Sequence, residues 1–141
     1  MWMEDLQGPS DCNFENSGVI VGNVASVIRI HDSKFSGNDC SYVYSDRTPV
    51  EVKNTLFTNG LRQPYINIVG SMLTIVNSTL SNALSDPLAI GRGVKCTSCT
   101  QVFIKDSVFE DLYAQRGGAI YLENSFDGLI YDSNFTRNSA F

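Results

Sequence analysis

The chain has 141 residues, 43% of them hydrophobic and 18% charged, with a formal net charge of -5 at pH 7. That length suits one domain, and an acidic balance with both signs present excludes nucleic acid and anionic membrane as default partners. No apolar stretch approaches the ~20 residues of a membrane-spanning helix, and Met1-Trp2-Met3-Glu4-Asp5 opens with neither the basic nor the apolar region of a leader.

In chain order, the first recognisable phrase is Asp11-Cys12-Asn13-Phe14, followed by the turn Glu15-Asn16-Ser17-Gly18 and a short strand, Val19-Ile20-Val21. The phrase then returns with an alternating segment in front of it. Ile28 and Ile30 alternate with Arg29 and His31 before Asp32-Ser33-Lys34-Phe35, and the turn Ser36-Gly37-Asn38-Asp39 leads to a strand at Tyr42-Val43-Tyr44. Val50 and Val52 alternate with Glu51 and Lys53 before Asn54-Thr55-Leu56-Phe57, then Thr58-Asn59-Gly60 and a strand at Tyr65-Ile66-Asn67-Ile68. Leu73 and Ile75 precede Asn77-Ser78-Thr79-Leu80, then Ser81-Asn82 and a strand at Leu88-Ala89-Ile90. Val102 and Ile104 precede Asp106-Ser107-Val108-Phe109, after which Glu110 to Gln115 is read as one helical turn before the strand Ala119-Ile120-Tyr121-Leu122. The last unit has Gly128 and Ile130 before Asp132-Ser133-Asn134-Phe135. Alternation of this kind marks strands with one buried face, and the Asn, Asp, Ser and Gly clusters between them mark corners.

The ladder positions 11, 32, 54, 77, 106 and 132 recur at intervals of roughly 21 to 29 residues, the signature of a repeat architecture. Units this short cannot bury an apolar face alone, so they must stack. The leucine-rich frame is missing, and no six-residue repeat of a left-handed solenoid is present. The chain therefore reads as all-β: a right-handed parallel β-helix of about six coils, with residues 1–141 forming a single segment. An insertion loop is expected at about 91–100. The unit at Asp11 lacks a preceding strand, and the chain stops where a further strand would begin, so the expectation is a fragment of a longer solenoid.

Stacking predicts columns. Phe14, Phe35, Phe57, Leu80, Phe109 and Phe135 should form an interior strip, and Arg29 should lie beside Glu51 on the surface. In the acidic column, Asp106 and Asp132 on neighbouring coils offer hard oxygen ligands for calcium, whereas an Asx ladder bonding corner backbone uses the same residues structurally. With Ile20, Val43, Ile66 and Ile120 inward, Tyr42, Tyr44, Tyr65 and Tyr121 are expected on an outer face able to stack on sugars or contact a protein. Two sequons occur, Asn77-Ser78-Thr79 and Asn134-Phe135-Thr136; the first lies in the ladder, so Asn134 is the better glycosylation site. Cys96-Thr97-Ser98-Cys99 suits a loop disulfide or two free thiols. Neither a second C-x-x-C nor a second histidine exists to complete a zinc site.

Phe35-Ser36-Gly37-Asn38 and Phe135-Thr136-Arg137-Asn138 fit F-x-x-N, and Gly117-Gly118-Ala119-Ile120 fits G-G-A-[ILV]. These motifs resemble the repeats of chlamydial polymorphic outer membrane proteins, and Arg116 to Leu122 is similar to protist surface proteins with β-helix repeats of the pectate-lyase type. The resemblance implies an extracellular or cell-surface protein with an adhesive or structural role, whose partners are other solenoid segments, glycans or a surface protein, without direct insertion into a membrane. A carbohydrate-active module acting on an acidic polysaccharide and a filament assembled end to end are the alternatives. Asp127, Glu123, Asp111 and Glu110 lie on different corners in sequence, so no acid pair for sugar cleavage is legible.

Overall fold

The structure is a computed structural model, and it describes residues 18–23, 27–37, 40–83 and 88–141. Each coil contributes three short strands. The first coil has β1 (Gly18–Asn23), β2 (Ile28–His31) and β3 (Lys34–Ser36); the second has β4 (Ser41–Asp46), β5 (Val50–Lys53) and β6 (Leu56–Thr58). The third has β7 (Ile66–Val69), β8 (Met72–Val76) and β9 (Thr79–Ser81). The fourth has β10 (Val94–Thr97), β11 (Gln101–Lys105), β12 (Val108–Glu110) and a short β13 (Tyr113–Ala114). The fifth has β14 (Ile120–Glu123), β15 (Asp127–Tyr131), β16 (Asn134–Thr136) and β17 (Ser139–Ala140).

Strands stack only on their counterparts. Three five-stranded sheets result, β1-β4-β7-β10-β14, β2-β5-β8-β11-β15 and β3-β6-β9-β12-β16, with β13 and β17 forming a fourth face two strands deep. Every pairing is parallel. The chain is thus the all-β parallel solenoid its repeats predict, with about four turns between its first and fifth coils instead of six coils. The unit at Asp11 lies outside the described residues. At ~4.8 Å per strand the five coils span about 19 Å from first to last.

The columns form as expected. Phe35 pairs with Phe57, Phe57 with Leu80, Leu80 with Phe109 and Phe109 with Phe135 in strict register. Phe35 and Phe57 stack with ring centroids 4.9 Å apart, and Phe109 and Phe135 at 4.8 Å. The aliphatic column runs Ile30, Val52, Ile75, Ile104 and Ile130. Arg29 and Glu51 are register partners whose charged groups lie 3.9 Å apart.

The corners explain why Asp and Asn recur. Asp32, Asn54, Asn77, Asp106 and Asp132 all have φ between +48° and +51°, a left-handed conformation that costs Asn and Asp less than other residues with a Cβ. A second left-handed column follows the Phe strands at Gly37, Asn59, Asn82, Asp111 and Arg137, and a third joins the first two sheets at Arg47, Gly70, Ser98 and Asn124. Glycine serves in two of these columns, so the requirement is backbone shape first and side-chain chemistry second.

Two local expectations are corrected. Residues 110–115 form no helical turn; Tyr113 and Ala114 pair with Ser139 and Ala140 as strand. The insertion loop expected at 91–100 is largely regular structure: Val94–Thr97 is an interior strand of the first sheet, pairing with β7 and β14, whereas Leu88 is solvent-exposed. Val94 continues the Ile66 column and Cys96 the Ile68 column, so both bury on the strand's inner face. Arg92, read from the sequence as part of that bulge, is fully buried and reaches the turn at 60–63. Its Nη2 donates to Gly60 O at 3.0 Å and to Leu61 O, and its Nη1 to Gln63 O at 3.4 Å.

Candidate functional site

The surface with the most organised polar chemistry is the corner between the second and third sheets, where the acidic column runs. Asn77 Nδ2 donates to Asn54 Oδ1 at 2.8 Å, and Asn54 Nδ2 to Asp32 Oδ1 at 2.9 Å. Beneath this exposed ladder runs a buried one made by the next residue of each repeat. Ser33, Thr55, Ser78, Ser107 and Ser133 each donate to the carbonyl two residues earlier, at 2.7 to 3.0 Å. The hydroxyls of Ser78, Ser107 and Ser133 also accept the amide N–H of Thr55, Ser78 and Ser107 from the preceding coil, at 3.1 to 3.2 Å. A hydroxyl that donates and accepts at once satisfies both buried groups of a tight corner. The sequence shows this column only as a small residue after each Asx; the signal is that each of its last five members is Ser or Thr.

A cavity of about 490 Å³ opens along the same corner, lined by Asp32, Ser33, Lys34, Asn54, Thr55, Leu56, Asn77 and Thr79. Asp106 and Asp132 continue the column on adjacent coils, since the strands flanking them are in register. They bring two carboxylates to one side, with Lys105 Nζ 3.6 Å from Asp106 Oδ2. Among the described residues no group of three His, Cys, Asp or Glu side chains is placed to hold a metal ion.

The expected tyrosine face does not form. Tyr42 and Tyr65 are 1% and 0% exposed and lie in the core, where Tyr42 packs 5.6 Å from Phe35 and 5.3 Å from Tyr65. Tyr42 OH donates to Thr58 O at 2.7 Å; Tyr65 OH donates to Ser81 O at 2.6 Å and accepts Gly60 N–H at 3.1 Å. Burial pushes the Tyr65 phenol well above its ordinary range. For Tyr42 the reason is a bulge: Tyr42 N–H and Val43 N–H both donate to Tyr65 O, so two consecutive side chains turn inward and the alternation slips; Tyr65 itself lies just before β7. Tyr44 and Tyr121 do belong to the outward column, but its members are Val21, Tyr44, Asn67, Lys95 and Tyr121, and Tyr44 is itself buried.

An aromatic surface exists elsewhere. On the outer face of the second sheet Phe103 and Tyr131 meet edge to face at 5.5 Å, and Lys105 Nζ lies 5.4 Å from the Tyr131 ring centroid. These are outward places of the alternation in the last two units.

Ion pairs cluster on two outer columns. His31 Nε2 lies 2.7 Å and Lys53 Nζ 3.1 Å from the Glu51 carboxylate, and their hydrogen bonds hold its carboxyl below the usual carboxylate range. Arg137 grips Asp111 through Nε at 2.7 Å and Nη2 at 2.9 Å, and also pairs with Glu110. The Arg137 hydrogen bonds hold Asp111 below the ordinary range. The neighbouring Asn138 explains the last residue of F-x-x-N: its Oδ1 accepts Leu112 N–H at 3.1 Å and its Nδ2 donates to Phe109 O at 2.8 Å, stitching one coil to the next.

Cys96 and Cys99 form a disulfide with Cα atoms 5.8 Å apart, both residues fully buried. Cys40 is also disulfide-bonded. Of the two sequons, Asn77 is held in the ladder, and Asn134 is exposed on β16.

The family model described as right-handed β-helix region matches residues 17–141 of the chain. No curated protein and no solved structure matches it.

Proposed function

Because this chain belongs to the right-handed β-helix family, we propose that it is a non-catalytic structural span of an extracellular or cell-surface protein, a rigid spacer that joins other segments of the same kind of solenoid. The observation that carries this reading is the corner, where the recurring polar side chains tie one coil to the next through hydroxyl and amide rungs. Side chains spent on cohesion in this way are fixed by their neighbours, which suits a rod.

The disulfides at Cys96–Cys99 and at Cys40 fit an oxidising compartment. Antibody labelling of intact cells producing the protein should be positive without permeabilisation. Labelling that requires permeabilisation overturns the surface assignment.

A second reading, a carbohydrate-active module, is favoured by the corner cavity and by the Phe103, Tyr131 and Lys105 surface, which offers ring faces and a cation to an acidic glycan. Incubation with polyuronides and calcium discriminates. Ultraviolet absorbance from an unsaturated product would replace the structural reading with lyase activity.

A further inference from the structure

We propose that Asn134 carries an N-linked glycan and that Asn77, which heads the other Asn-x-Ser/Thr sequence, does not; the inference rests on the reading of the chain as exported. Both segments meet the sequence requirement, and the fold separates them. Asn134 opens β16 on its outward side, and strand alternation puts Thr136 on the same side two residues on. Thr136 Oγ1 donates to Asn134 Oδ1 at 2.9 Å, while the Asn134 backbone N–H is already bonded to Ser107 O. Among the described residues the Asn134 Nδ2 makes no hydrogen bond, so replacing one of its hydrogens by a sugar breaks none.

Asn77 is placed differently. It sits at a corner with φ +48°, and its Nδ2 donates to Asn54 Oδ1 at 2.8 Å, one rung of the ladder that joins three successive coils. A glycan on that nitrogen would project into the row occupied by Asn54 and line the cavity with sugar. Transfer to Asn134 has no such cost.

The chemistry is that of an amide acceptor. The Asn134 Nδ2 forms a bond to the anomeric carbon of a lipid-pyrophosphate-linked oligosaccharide. The carbon–oxygen bond to the pyrophosphate breaks, its electron pair leaves with the lipid pyrophosphate, and the amide proton passes to a carboxylate of the transferase.

The test is to send the 141-residue chain through a eukaryotic secretory pathway behind a cleavable leader and read the total lumenal pool. Gel mobility is compared before and after peptide N-glycosidase, and the site is located by mass spectrometry. One glycan is expected on the wild-type chain and on Asn77→Gln, and none on Asn134→Gln or Thr136→Ala; Thr136→Ser should retain it. An unmodified wild-type chain, or a glycan at Asn77, overturns the inference. The supplied leader makes the choice between Asn134 and Asn77 readable whatever the native export, so a failure of this test and a failure of the cell-surface labelling are separate results.

Discussion

Replacing Ser78 by Ala isolates the hydroxyl ladder from every other feature of the corner. The Ser78 side chain is buried, its hydroxyl donates to Val76 O at 2.9 Å, and it accepts Thr55 N–H at 3.1 Å from the coil before. Val76 O keeps a second partner, Asn54 N–H at 3.2 Å, so the carbonyl is not abandoned. Thr55 N–H is left buried and unpaired, at a cost of about 1–3 kcal/mol, and the lost donated bond adds about 0.5–1.5 kcal/mol. The sum, about 1.5–4.5 kcal/mol, corresponds to a fall of roughly 1–2 M in the urea midpoint for a domain with an ordinary denaturant slope. Ser78→Thr is the control, because Thr55 already occupies the same column, and it should cost under about 1 kcal/mol. Urea titrations followed by circular dichroism measure all three chains. If Ser78→Ala unfolds within about 0.5 kcal/mol of the wild type, the rung is incidental and the cohesion argument fails.

Three further outcomes follow from the packing and charges. Phe57→Ala should cost about 3–5 kcal/mol in the same titration, while Phe57→Leu should cost under about 1.5 kcal/mol because the column already accepts Leu80. Tyr65→Phe leaves Gly60 N–H without its acceptor and should lower stability by about 1–3 kcal/mol, a loss that an outward tyrosine would not produce. The Asp111 carboxyl is held below its unfolded value by Arg137, so its contribution is complete above the ordinary carboxylate range and is lost as pH falls through the depressed folded value. Arg137→Gln should therefore return the Asp111 titration, followed by NMR, toward the ordinary range and flatten that part of the acid limb of stability; an unmoved titration contradicts the pairing.

Much of the architecture was legible because its causes are local. A strand with one buried face needs alternation, and the corner that heads each Phe strand, with φ near +50°, favours Asn or Asp, so both are written into each repeat. The Phe column and the Arg29–Glu51 pairing follow once the period is fixed. The surface was less legible. Placing the tyrosines outward assumed unbroken alternation, and the bulge at Tyr42 and Val43 depends on the carbonyl of Tyr65 in the next coil, which no local pattern reveals.

By itself, the amino-acid sequence determined the repeat, the parallel stacking and the interior columns, because each depends on residue type at a fixed interval. The tertiary structure alone decided which of two segments, Leu88-Ala89-Ile90 or Val94–Thr97, joins the sheet, since the choice turns on which one fits between Ile66–Val69 and Ile120–Glu123. It also decided that a hydroxyl answers the amide of the coil before, because a hydrogen bond between residues more than twenty places apart exists only once the coils have closed on one another.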